Sequence, residues 1–213
     1  MQEMITEEAF KPDHAGVQAY LNQIQKRRSV RKLTRGPVTD ETIHTILEAG
    51  RWSPSSSNSQ PARIILLKER HEAFWDFIEQ TLRRKLQGDQ LTRALNRLPG
   101  YRSGIFSLVF YEDTTITNNT PPGMKPENWK SFTTQAMGII QINVWNAIAA
   151  ANLATSNQHI NLQMEEELRD FLNVPSTWTS YSIFPVGYMA ETLSEGKRHD
   201  YEKVIFHEQG PAV

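Results

Sequence analysis

Two short segments near the N-terminus hold the residue types best able to do chemistry. The first runs Lys26-Arg27-Arg28-Ser29-Val30-Arg31-Lys32, and the second runs Arg51-Trp52-Ser53-Pro54-Ser55-Ser56-Ser57-Asn58-Ser59-Gln60-Pro61. Arginine's planar fork meets phosphate oxygens in pairs, which lysine cannot do. Serine, asparagine and glutamine present neutral donors and acceptors that can meet a planar polar ring. One segment suits a dianion and the other a heterocycle, so together they fit a phosphorylated, ring-bearing cofactor. Each has an ordinary alternative. Six of the ten residues 26–35 are Lys or Arg, and such a run is commonly a solvated face, a nuclear-localisation signal or a nucleic-acid patch. A Ser/Asn/Pro cluster is commonly a polar linker. The joint occurrence of the two, separated by a short amphipathic helix over 40–50, favours the cofactor.

In this order and spacing, Arg-Arg-Ser-x-Arg, the helix and Ser-Pro-Ser-Ser-x-Asn-Ser-Gln-Pro resemble the opening of the nitroreductase family, FMN-dependent oxidoreductases that work as homodimers. Later landmarks are similar as well: a long helix over 132–154, the turn Ser156-Asn157-Gln158-His159-Ile160-Asn161, the strand ending Pro185-Val186-Gly187-Tyr188, and Lys197-Arg198. The Gln-His-x-Asn turn, with Phe110-Tyr111-Glu112-Asp113, resembles the branch typified by yeast and lactic-acid-bacterial stress-response members.

The resemblance implies roles for particular residues. Arg27, Arg28, Ser29 and Arg31 become the phosphate and ribityl contacts, with Lys32 and Arg35 solvated. Pro54, Ser55, Ser56, Asn58 and Gln60 contact an FMN bound mainly by the other subunit. Lys197 and Arg198 close over the phosphate, one or both, although the pair alone would also suit a solvated turn. Ser156, Asn157 and Gln158 lie along the isoalloxazine, where a backbone N–H approaches N5 and tunes the ring without needing a particular side chain. Gln158 and His159 are the catalytic candidates, and a lone histidine is more often a structural hydrogen-bonder. Ala62 departs from the pattern, since relatives usually carry an aromatic there.

These residues need a scaffold, and apolar spacing outlines one. Helical periodicity covers 17–27, 40–50, 69–85, 90–98, 132–154 and 165–173. Thr39 or Asp40 is a natural N-cap for the second of these. Short apolar runs over 63–67, 105–111 and 181–189 read as strands, with 201–206 as a possible last strand or arm. The Thr-, Asn-, Pro- and Gly-rich stretch 113–126 reads as a mobile loop or lid. Helix 132–154 is apolar nearly all round, so it must be covered all round, and a partner subunit is the simplest cover. Helices and strands interleave without an even βα repeat, which suggests an α+β sandwich. The resemblance sharpens this to a nitroreductase-like sandwich, a small, mostly antiparallel central sheet flanked by helices in an intertwined homodimer. We expect residues 1–13 to be a tail and 14–213 a single domain.

Composition excludes several classes. With 213 residues, 38% of them hydrophobic, the chain can bury one core. A net charge of −1 gives no global attraction to nucleic acid or to an anionic membrane. The absence of cysteine excludes disulfides, thiolate metal sites and a cysteine nucleophile. No apolar signal segment or membrane-length run occurs, so the expectation is a cytoplasmic protein. The six histidines show no metal-ligand spacing, and no dinucleotide-binding, P-loop or nucleophile-elbow motif is present. Any nicotinamide would therefore be a transient substrate at the flavin face. The expected activity is NAD(P)H-dependent reduction of nitroaromatics, quinones or related acceptors by a ping-pong mechanism. The rival readings are a low-turnover flavin-binding redox-stress or regulatory protein, and a nucleic-acid module built on the basic cluster.

Overall fold

The computed structural model describes residues 11–200. Its centre is β3 (Phe106–Asp113), whose alternate side chains enter two cores on opposite faces of one sheet. Val109 and Tyr111 pack with α3 (His71–Lys85) and α8 (Glu165–Leu172), while Phe106, Leu108 and Phe110 pack with α2 (Asp40–Arg51) and α7 (Pro126–Ala150). Each of these fully buried side chains contributes about 1.5–3 kcal/mol of transfer free energy. β3 pairs antiparallel with β2 (Ala62–Leu67) on one side and β5 (Trp178–Met189) on the other. The far edge of β5 takes β1 (Leu33–Thr34) and β4 (Ala154–Thr155), also antiparallel. The small antiparallel sheet among helices is the α+β architecture expected.

Several boundaries differ from the periodic reading, each for a local reason. α1 (His14–Lys26) begins three residues before position 17, because the Asp13 carboxylate accepts the Gly16 N–H at 2.9 Å. At α2 the Thr39 side chain takes the cap, accepting from the Thr42 N–H. α7 starts six residues before 132, with Pro126 in its first turn, where a missing N–H costs nothing. It ends at Ala150, and Asn152 turns the chain with φ 56°. The helix expected over 90–98 is divided in two. After α4 (Gly88–Leu95), Pro99 sits in the first turn of a second short helix, α5 (Leu98–Arg102).

The expected lid over 113–126 is tied down at its base. The Asp113 carboxylate accepts from Thr115 and forms an ion pair with Arg63 at 2.8 Å, and α6 (Thr114–Thr117) follows at once. The Trp129 indole donates to the Ile116 carbonyl. The two-residue strands β1 and β4 carry too few side chains to leave a periodic signal. The possible strand 201–206 and residues 1–10 of the expected tail lie outside the described residues.

α7 is not covered all round within one chain. Phe132, Ile139 and Ile142 are 38%, 36% and 40% exposed, and α1 leaves Val17, Tyr20, Leu21 and Ile24 exposed as well. No helix among the described residues is long and apolar enough to cross a membrane.

Candidate active site

The far edge of β5 assembles the site. Gln158 and Ile183 exchange both backbone hydrogen bonds, at 2.8 and 2.9 Å, and β4 pairs at Val186 and Gly187. Pro185 has no N–H to give, and strand alternation turns it to the same side as Ile183. There the chain at Ser156 and Asn157 leaves the ladder, so the missing donor goes unmissed. The basic segment docks on this framework. The Val30 N–H donates to the Thr155 carbonyl at 3.0 Å, and Ser29 bridges Thr155 in parallel. Arg27 to Arg31 and the turn 156–161 thus become neighbours despite a separation of more than 120 residues.

Gly100 makes this docking possible. A β-carbon at this position would stand 2.2 Å from the Arg31 carbonyl oxygen, so only glycine lets the basic segment pass over α5.

Arg27 is half-buried, with its guanidinium 4.5 Å from the centroid of the Trp145 ring. Burial, then repulsion from Arg198 and Arg28, lowers its pKa. Arg28 donates to the Ser194 carbonyl at 2.7 Å, and Gly196 passes beside the same guanidinium. The late basic pair therefore does return to the early one, and Arg198 is the member that acts on Arg27. Lys197 contributes its carbonyl, which accepts from Arg198. Arg31 points elsewhere, into a cleft shared with the 157–160 turn.

The turn itself is mostly engaged. Tyr101 donates to the Gln158 side-chain oxygen at 2.8 Å, and the Gln158 amide donates to Ser156 Oγ at 2.9 Å. Asn157 donates to Gln141 Oε1, which also accepts from Ser182. His159 is exposed at the cleft rim. Three acceptors stay unmatched here, Thr155 Oγ1, Asn157 Oδ1 and Asn161 Oδ1, all buried without a hydrogen-bond partner. A phosphorylated, amide-bearing ring fits what these residues lack: an anion for clustered arginines and donors for orphaned oxygens.

The serine-rich loop is not part of this assembly in one chain. Pro54, Ser55 and Ser56 lie against Phe132, Gln135 and Ile139 in the first part and middle of α7, whereas Arg27 lies against Trp145 nearer its end. At 1.5 Å per residue, Gln135 and Trp145 are about 15 Å apart along the axis. The loop is nonetheless specialised. Ser57, Asn58 and Gln60 all have positive φ, 54°, 52° and 48°, a conformation that costs side-chain-bearing residues of order 1 kcal/mol each. The Gln60 N–H donates to Ser55 Oγ, closing the loop on itself.

Sequence reasoning missed Tyr101, Arg93 and Arg97, which border the turn. Tyr101 lies past the end of the helix expected over 90–98, and the arginines looked like ordinary helix surface.

The nitroreductase family model matches residues 24–188, so the chain belongs to the nitroreductase family and is by class a flavin-dependent oxidoreductase. Among curated proteins it is 27% identical over 180 residues to nitroreductase FRM2 of Saccharomyces cerevisiae, covering 79% of this chain and 86% of the yeast protein. Among solved structures it resembles nitroreductase CinD from Lactococcus lactis in complex with chloramphenicol, with TM-score 0.79 and 25% identity, covering 89% of this chain and all of CinD. A nitroreductase from Desulfovibrio desulfuricans in complex with FMN shares the fold at TM-score 0.66 and 22% identity, covering 89% of this chain and 97% of that one.

Proposed function

We propose that two copies of this chain build each FMN site between them, and that the protein uses NAD(P)H to reduce nitroaromatics, quinones or related acceptors. The observation that carries this reading is the Arg27 environment. It is a half-buried guanidinium whose neighbouring charges, Arg198 and Arg28, are both cationic. Such a cluster is stabilised by a bound dianion and is unfavourable without one. FMN, when bound, supplies the ring that accepts and passes on hydride.

The chain's own residues bind, orient and exclude water. Arg27, Arg28 and Arg198 hold the phosphate, and Ser29 stands beside them. Asn157 Oδ1 and Thr155 Oγ1 accept from ring or ribityl donors. The backbone donor expected in the turn is not that of Gln158, whose N–H is given to Ile183; its neighbours Asn157 and His159 offer theirs. Pro54, Ser55, Ser56, Asn58 and Gln60 serve the partner's site, which accounts for their distance from Arg27 and for the exposed apolar faces of α1 and α7.

Donor and acceptor share one pocket in turn, giving ping-pong kinetics. For a nitroarene, one hydride from NAD(P)H and one solvent proton yield the nitroso compound, water and NAD(P)+. The nitroarene chloramphenicol bound to CinD supports this acceptor class. The test is the absorbance spectrum of the purified protein, before and after anaerobic NADH, followed by turnover with a nitrofuran and with menadione. We expect flavin bands that bleach with NADH and recover with either acceptor. A colourless protein, or bound flavin idle toward both, would contradict the reading.

A further inference from the structure

The turn from Gln158 to Asn161 is pinned to β5 at both ends, and only the first pin is made by backbone. Gln158 and Ile183 exchange their peptide hydrogen bonds, after which the chain leaves the ladder for a 3-10 turn, Ile160–Gln163. Three residues further along both chains, at the pair an antiparallel ladder would reach, the Asn161 side chain takes over. Its amide donates to the Ser180 carbonyl at 3.1 Å and to Ser180 Oγ at 3.0 Å, in the interior.

Ser180 can be met there because β5 carries a bulge. Its register against β3 passes from Ser182 to Ser180 and skips Tyr181, so the peptide groups of Ser180 and Ile183 face the same edge instead of opposite ones. The Ser180 N–H, turned outward with its carbonyl, needs a partner of its own. It donates to Glu165 Oε1 at 2.9 Å, and the Ser180 hydroxyl donates to Glu165 Oε2. Glu165 opens α8, where a helix N-terminus favours the negative charge. A carboxylate and a carboxamide thus do for Ser180 what a neighbouring strand would. One short chain, Glu165 to Ser180 to Asn161, fixes the far end of the turn.

We infer that Glu165, Ser180 and Asn161 are positioning residues that hold the span over which His159 presents its backbone N–H, and thereby set the reduction potential of the flavin. Their effect passes through the backbone of the turn and needs no contact with the ring. An amide hydrogen aimed at N5 favours the oxidised ring, whose N5 accepts, over the reduced ring, whose N5 carries hydrogen. Loosening the turn should therefore raise the potential. The effect on the ring rests on the proposed FMN site, but the pinning of the turn does not.

Hydrogen exchange of the amides 158–163 in the purified protein reads the turn, and spectroelectrochemical titration reads the potential. Asn161→Leu keeps the volume and removes the amide. Exchange in the turn should then quicken by about tenfold or more, while β3 stays protected. The potential should rise by about 30 mV, the equivalent of tenfold for a two-electron couple. Glu165→Gln alters a partly exposed side chain and leaves one of the two Ser180 donors without its acceptor, so it should shift both readouts the same way by less. Ser180→Thr keeps the hydroxyl and should leave both unchanged. Unaltered exchange in Asn161→Leu and Glu165→Gln would overturn the pinning. A quickened turn with an unaltered potential would overturn its effect on the flavin, as would a rise of the same size in Ser180→Thr. If the protein carries no flavin, the functional reading fails while exchange still decides the pinning.

Discussion

The Tyr101 hydroxyl and the Gln158 side-chain oxygen lie 2.8 Å apart in the interior, so the amide best placed by sequence to meet a substrate is held by the protein itself. Gln158 thereby positions the turn. Tyr101→Phe leaves that oxygen buried and unpaired, which should cost about 1–3 kcal/mol of stability. Urea unfolding of Tyr101→Phe, Gln158→Leu and the double variant measures it. The double variant should be less destabilised than the sum of the two single ones.

Arg27→Ala removes the half-buried member of the proposed phosphate cluster. FMN affinity should fall by on the order of tenfold or more, since such charge-assisted contacts contribute about 1.5–3 kcal/mol. Riboflavin, which has no phosphate, should bind the variant and the wild type alike. Fluorescence titration of both flavins reads the difference.

His71 is a core residue whose titration affects the fold. It is buried, with Nε2 donating to the Arg102 carbonyl and Nδ1 accepting from Ser107, which in turn accepts from Trp75. Burial lowers its pKa from 6.5 to about 4. Between those values the unfolded chain binds the proton and the folded chain does not, so stability is present above pH 6.5 and is lost as pH falls toward 4. The loss is about 3 kcal/mol. Urea midpoints across that window should fall more steeply for the wild type than for His71→Gln.

His159 sits exposed at the cleft rim, and hydride transfer requires no proton from it. His159→Gln should keep the reductive half-reaction within about tenfold, whereas loss of a general acid serving the acceptor would cost roughly 10²–10⁴-fold in the oxidative half alone. Stopped-flow traces of the two half-reactions separate these effects.

The sequence disclosed the parts of this molecule better than their arrangement. β3, α2 and α3 were legible because their apolar side chains recur at the period of the element. β1 and β4 were not, because two residues make no period, and their pairing is dictated by β5 some 30 to 150 residues away. Arg27 and Arg198 were named as members of one site, and the Arg198 charge acts on Arg27. Arg31 was grouped with them through the resemblance, and it lines the cleft bordered by residues 157–160. Gly100 shows the limit most clearly. Its role depends on a backbone that crosses it from residue 31, and no local pattern records that.

The central claim is that each flavin site takes its arginines from one chain and its serine-rich loop from another. Coexpressing an Arg27→Ala chain and an Asn58→Gly chain under two different tags, then purifying through both, isolates heterodimers. Glycine accepts the positive φ at position 58, so the second change removes the amide without adding backbone strain. Twofold symmetry gives such a heterodimer one doubly altered site and one intact site, so it should bind about one FMN at wild-type affinity while neither homodimer does. A heterodimer with no wild-type site, or failure of the two chains to pair at all, would contradict the account.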